Sequence, residues 1–286
     1  MKEILAVTVL TLFSSMGFAH SSEMFYQPLD GQTLVEGNLV YRALNYEVAP
    51  LPLLPVQVPD LEFSDLAFDL KVEHGFTAVY SGYVGLSFGD GKFEQNGTET
   101  DFGGIGMLHL GGQYQRHDDE IGRFLGTLDL GIGLEDADGE NRVAGQFVLT
   151  LGLGYEKHMD ANLYGAHISY GVLATDFKND GGADTDADGN LNLKLYYERS
   201  VGESSMGPMI FAGKLAYERV GFNYWQGSYA SDTDFAVVVA GLYTRIPMSE
   251  RFHLLGGLDY RMSVDEPALF SGESGFDVRI GGRMIF

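Results

Sequence analysis

The stretch Phe276-Asp277-Val278-Arg279-Ile280-Gly281-Gly282-Arg283-Met284-Ile285-Phe286 decides the fold. Counting back from Phe286, every second residue (Met284, Gly282, Ile280, Val278, Phe276) is apolar or glycine. Ile285, Arg283, Gly281, Arg279 and Asp277 stand between them, a largely charged set. Alternate residues of an extended chain point to opposite faces, so a period of two with one greasy and one charged face describes a strand lying between two different surroundings.

The same unit recurs upstream. Working back from the end, alternation predicts strands near 275–286, 252–262, 234–246, 208–219, 191–200, 163–175, 143–156, 123–135, 102–115, 76–88 and 64–73. The breaks between them alternate short (73–76, 116–121, 157–161, 202–205, 248–251) and long (89–101, 136–142, 176–190, 220–233, 263–274). A twelfth strand fits Thr33 to Leu44, where Val35, Gly37, Leu39, Tyr41 and Ala43 alternate with Glu36, Asn38, Val40 and Arg42. The prolines between Ala49 and Pro59 exclude a central strand there, since proline has no amide hydrogen to give a neighbour. Segment 46–62 is therefore expected to be a linker or an inserted loop, one that could fold inward as a plug, and 20–32 an N-terminal segment ahead of the wall.

Composition narrows the class. The chain has 286 residues, no cysteine and a net charge of −22. Thiolate chemistry and disulfides are excluded, and so much negative charge argues against nucleic acid as a partner. Residues 1–19 have the form of an export signal: Lys2, a short apolar run from Ile4 to Phe13, then Gly17-Phe18-Ala19 before an expected cut at His20. The apolar run is too short for a spanning helix.

An exported chain whose last strand alternates and closes on phenylalanine resembles the bacterial outer-membrane β-barrels. The resemblance implies an all-β, transmembrane antiparallel barrel in the cell outer membrane of a Gram-negative bacterium. It also implies contact with outer-membrane lipid and lipopolysaccharide, and handling by the barrel-assembly machinery through the C-terminal strand. An even strand count is the rule in such barrels, with short periplasmic turns and longer outer loops. Twelve strands are expected, with ten as the alternative if residues 20–75 lie mostly outside the wall. A periplasmic C-terminus puts every short break inside and every long one outside.

Parity then sorts the side chains. Leu128, Leu130, Ile132 and Leu134, or Phe147, Leu149, Leu151, Leu153 and Tyr155, fall on the lipid side. Tyr114, Tyr155, Tyr164, Tyr197, Tyr217, Tyr243 and Tyr260 lie near strand ends, where a ring with a polar tip suits the membrane interface. The other parity collects the candidate lumen-lining residues Asp69, Lys71, Asp129, Glu156, Lys194, Glu198, Lys214, Glu218, Asp259, Arg261, Asp277, Arg279 and Arg283, together with Glu36, Arg42 and Glu73. Signs are nearly balanced there, so cross-strand ion pairs are expected, and the excess negative charge belongs to loops and turns. Small lumen positions (Gly85, Gly131, Gly133, Gly152, Gly154, Ser81, Ser87) leave space for water, solute or an inserted segment.

Motifs with chemistry are few. Asp184, Asp186 and Asp188, followed by Gly189, match the opening of a calcium loop, but Leu195 stands where the bidentate glutamate belongs, so any Ca2+ is weakly held. Asp136-Ala137-Asp138-Gly139-Glu140 is a shorter version of it. His167-Ile168-Ser169 is similar to the His-x-Ser pair of outer-membrane lipid A deacylases, though parity turns it inward and no acidic partner is evident. His117-Asp118-Asp119 is similar to the groups of outer-membrane proteases but falls in a periplasmic turn. No catalytic residue and no cofactor is assigned. The leading expectation is a small channel for solutes with a charged lumen; a non-conducting barrel acting through acidic loops is the alternative, and a lipid-modifying enzyme is third.

Overall fold

The structure, a computed structural model, describes residues 25–48, 60–118, 121–134, 146–175, 188–202, 207–220, 223–226, 229–232, 235–264 and 270–286. Twelve antiparallel strands close into a barrel. They are β1 (Thr33–Val48), β2 (Leu61–Gly75), β3 (Tyr80–Gln95), β4 (Thr98–Asp118), β5 (Gly122–Gly133), β6 (Gln146–Met159), β7 (Asn162–Thr175), β8 (Asp188–Val201), β9 (Met209–Val220), β12 (Phe235–Pro247), β13 (Phe252–Ser263) and β14 (Phe270–Ile285). A two-stranded ribbon, β10 (Asn223–Gln226) and β11 (Tyr229–Asp232), stands apart from the wall between β9 and β12.

Each wall strand pairs with the wall strands before and after it in the chain, β9 with β12 across the ribbon, and β1 pairs with β14 to shut the ring. The terminal strand therefore has two partners. Arg283 lies opposite Glu36 on β1 and His253 on β13, and Asp277 lies opposite Arg42 and Asp259. Thr33 and Phe286 exchange backbone hydrogen bonds at 3.1 and 2.8 Å at the seam. Closure leaves no unpaired sheet edge, the condition a sheet must meet to sit in hydrocarbon.

The barrel is inside-out relative to a water-soluble one. Leu153 and Ile280 are 69% and 67% exposed, whereas Glu73 and Glu156 are fully buried. The exposed aliphatic side chains recur on nearly every strand, as a lipid-facing band requires. Aromatic pairs Tyr80–Tyr114, Tyr164–Tyr197 and Phe124–Tyr155, with centroids 5.1–5.4 Å apart, gather near the end that holds the short turns and both Thr33 and Phe286.

The ten-strand alternative fails, because β1 and β2 are integral to the wall. Segment 46–62 is shorter than expected as a connection: β1 runs through Val48 and β2 starts at Leu61, while 49–59 lie outside the described residues. The break expected at 89–101 is instead a continued hairpin, turned at Asn96-Gly97. Both residues have positive φ, 54° and 69°, which is the geometry of a type I′ turn and the reason Asn-Gly favours hairpins. A bulge between Leu86 and Phe88 marks where this hairpin leaves the regular wall. Tyr243 is a further departure. It points inward, buried; from Ala236 to Tyr243 β12 is apolar on both faces, so alternation there does not distinguish lipid from lumen.

Candidate functional site

The inner wall is a stack of ion pairs. Nearest the turn end, Arg283 meets Glu36 at 2.9 Å and Lys71 meets Glu73 at 2.9 Å. Glu73 also accepts from Ser81 at 2.5 Å and Gln113 at 3.1 Å. Farther round the ring, Glu156 binds Arg123 and accepts from the Tyr196 hydroxyl at 2.6 Å. At mid-height His109 and Tyr83 converge on Asp129, at 2.9 and 2.6 Å, and Lys214 and Tyr243 converge on Asp259. Above them lie Arg42–Asp65 at 2.9 Å and Arg261–Glu218 at 3.0 Å, with Asn192 donating to Glu218 at 2.9 Å. Every carboxylate in these pairs accepts a charge-assisted bond, which offsets the cost of removing it from bulk water.

The thirteen lumen candidates read from parity thus lie on one inner surface, with Asp129, Asp277 and Arg279 half-buried and the other ten buried. Alternation did not single out Asp65, Arg123, His109, Gln113 and Gln115, nor the phenols of Tyr83, Tyr196 and Tyr243. Asp65 and Arg123 sit near strand ends, where alternation has few residues to establish phase. A tyrosine inside a charged lumen has the same spacing as one in the aromatic belt, and only its hydrogen bond tells them apart.

Residues 25–32 were not foreseen in their position. They fold back into the turn end of the barrel. Phe25 is 3% exposed and packs with Leu125, Leu163, Tyr196, Ala212 and Tyr243. Its ring lies 4.6 Å from that of His167, and its carbonyl accepts from the Gln115 side chain. Arg283 stacks over Tyr26 at 4.4 Å. The Gln27 side-chain oxygen, in the amide orientation that satisfies both its ends, accepts from the Tyr80 and Ser81 amides at 3.2 and 3.0 Å. Gly31 donates to the Gly75 carbonyl at 2.9 Å, and Gly75 donates to that of Gln32 at 3.0 Å. A Cβ on Gly75 would come within 2.2 Å of the Leu29 carbonyl, so this close approach needs glycine. The clue in the sequence was Phe25-Tyr26 beside Pro28-Leu29, apolar residues outside any strand.

Beyond this arm lies a cavity of about 180 Å³. Phe25 contributes to its lining, as do Asp69, Thr150, Ser169, Lys194 and Arg279. His167 and Ser169 both face it, but the hydroxyl that approaches the His167 ring is that of Thr127, at 3.4 Å. Among the described residues no acidic side chain is hydrogen-bonded to His167, the position an orienting partner takes in a hydrolase. Asp184, Asp186, Asp136, Asp138 and Glu140 lie outside the described residues, as does Asp119; Asp188 begins β8, and its side chain is not described.

No family model matches the sequence, and no curated protein matches it. Solved structures do match in shape. An outer membrane channel from Pseudomonas putida F1 superposes with a TM-score of 0.72 at 15% identity, over 92% of this chain and 98% of that one. The chain folds as a bacterial outer-membrane β-barrel. The translocator domain of autotransporter NalP from Neisseria meningitidis gives 0.63 at 12% identity, over 99% and 97% of the two chains. The β domain of the Bordetella autotransporter BrkA gives 0.52 at 14% identity, over 90% and 100%. At such identities this outer-membrane barrel shares architecture with channels and translocators alike, and its use rests on its own lumen.

Proposed function

We propose that this barrel is a small-solute channel of the Gram-negative outer membrane, held closed at the periplasmic end by its own N-terminal arm. The observation that carries the proposal is the pairing of a charged, cavity-bearing inner wall with a floor that is not part of the wall. A barrel that served only as a scaffold would need neither the cavity nor the small residues beside it. The turn end is placed in the periplasm by the rule that short connections face that side.

The arm is held by non-covalent contacts that can be released. Burying a phenylalanine side chain contributes about 1.5–3 kcal/mol, and each neutral hydrogen bond adds a net contribution of about 1 kcal/mol. Several of the arm's partners would regain water if it left. The Phe25 ring and the hydrogen bonds of Gln115, Gln27, Gly31 and Gly75 together make undocking cost several kcal/mol, partly offset by that rehydration, so the open arm is a minor state. Brief openings on a closed baseline are the expected behaviour of the intact protein.

Planar-bilayer recording tests this. The intact protein should show rare, short openings, and deletion of residues 20–32 should give a sustained conductance. Silence from both proteins, with each shown to be folded by its changed gel mobility on boiling, would reject the channel and favour the non-conducting barrel. Equal, sustained conductance from both would reject the arm as its gate.

A further inference from the structure

Lys194 stands apart from the other lumen cations. It is 6% exposed and lines the cavity. Across the sheet it lies opposite His167 on β7 and Ala216 on β9, so neither register partner is an acid. The carboxylates whose field it feels are Glu218 and Asp259. Both are engaged: Glu218 with Arg261 and Asn192, Asp259 with Lys214 and Tyr243. Among the described residues Lys194 has no ion pair or hydrogen bond. The other charges whose field it feels are Lys214 and Arg279, both positive. Arg279 also lacks an ion pair among the described residues, and its buried Nε has no acceptor.

A buried ammonium without a counter-ion is costly, and the cost falls when an anion from solution sits beside it. We propose that Lys194, with Arg279 assisting, forms a binding site for a small oxyanion, a carboxylate or phosphate, at the base of the lumen cavity. The volume suits such a ligand: a cavity of about 150 Å³ accommodates a six-carbon ring. Thr150 and Ser169, which line the same cavity, present hydroxyls able to donate to further oxygens. The floor beneath is Phe25, stacked on His167, so an occupant at Lys194 sits next to the arm. The site deepens the channel reading, on which its place along a solute route rests. It also gives a chain of net charge −22 a cationic point in its lumen.

The test is calorimetric titration of the detergent-folded full chain with inorganic phosphate, and separately with acetate, at constant ionic strength. The expected result is one saturable site for at least one of the two anions. Lys194→Gln should weaken it about tenfold or more, the size of a lost charge-assisted hydrogen bond. Lys194→Arg should retain it. Lys92→Gln, which removes an exposed charge paired with Glu99 in the outer hairpin, should leave it unchanged. Removing an uncompensated charge should also leave folding intact, so Lys194→Gln should keep its heat-modifiable gel mobility. No saturable site in the wild type, or equal affinity in Lys194→Gln, overturns the proposal. So does failure of Lys194→Gln to fold, since that would show the ammonium bound structurally. Binding is read without conduction, so a silent bilayer and a flat titration are separate failures.

Discussion

Glu156 shows how much one buried carboxylate can organise. It is fully buried, pairs with Arg123 across the β5–β6 ladder and accepts the Tyr196 hydroxyl from β8. Three strands thus converge on one residue, directly beside the Phe25 cluster to which Tyr196 also belongs. Glu156→Ala removes the carboxylate from both the guanidinium and the phenol, and leaves Arg123 its bond to Gln115. The Arg123 side chain keeps 24% exposure, so the loss should fall at the low end for a broken buried pair, about 3 kcal/mol. Glu156→Gln keeps an acceptor for Tyr196 and should lose less. Equilibrium urea unfolding in lipid vesicles measures both, and equal losses would contradict the assignment. Gly75 makes the complementary point about the arm. Gly75→Ala would drive a methyl into the Leu29 carbonyl. The variant should raise channel open time in bilayers, as partial arm deletion would, with the barrel still heat-modifiable.

At the scale of elements, the strand parity was legible and the connections were less so. The terminal strand fixed the phase of its neighbours because its charged residues, Asp277, Arg279 and Arg283, all face inward and each outward residue is apolar or glycine. β12 offered no such contrast: Val237, Val239 and Tyr243 face in, and Leu242 and Ile246 face out. Both sets are apolar, so the pattern does not show that Tyr243 faces inward. The hairpin at 89–103 does not read as strand in the sequence, because Asp90, Lys92, Glu94, Glu99 and Asp101 break the alternation that a membrane imposes. Strands that continue beyond the bilayer are wet on both faces and need not alternate. Asn96-Gly97 carried the signal instead, through turn chemistry rather than hydrophobic period. Gly97→Val puts a β-branched residue at φ 69° and should cost about 1–2 kcal/mol locally. Faster proteolysis within 89–103, with unaltered mobility of the unboiled barrel, is the expected pattern; unchanged proteolysis would argue against the turn. The arm at 25–32 was illegible for a different reason. It has no period, and its place depends on a cluster drawn from β5, β7, β8, β9 and β12.

For the whole molecule, the distribution of polarity is the account's foundation. Aliphatic side chains cover the outside, ion pairs line the inside, and residues 25–32 pack into one end. Those features together turn an outer-membrane fold shared by channels and translocators into a proposed gated pore with an oxyanion site. The chain has no cysteine, so single thiols report cleanly on each surface. Thr150 lines the cavity, and its neighbour Leu151 is 58% exposed on the outer face. The most direct test is the reaction of a small water-soluble maleimide with Thr150→Cys and Leu151→Cys in proteoliposomes, with and without residues 20–32. The account predicts slow labelling at 150 that accelerates when the arm is removed, and protection at 151 in both backgrounds. Labelling at 151 with protection at 150, or a rate at 150 indifferent to the arm, would contradict it.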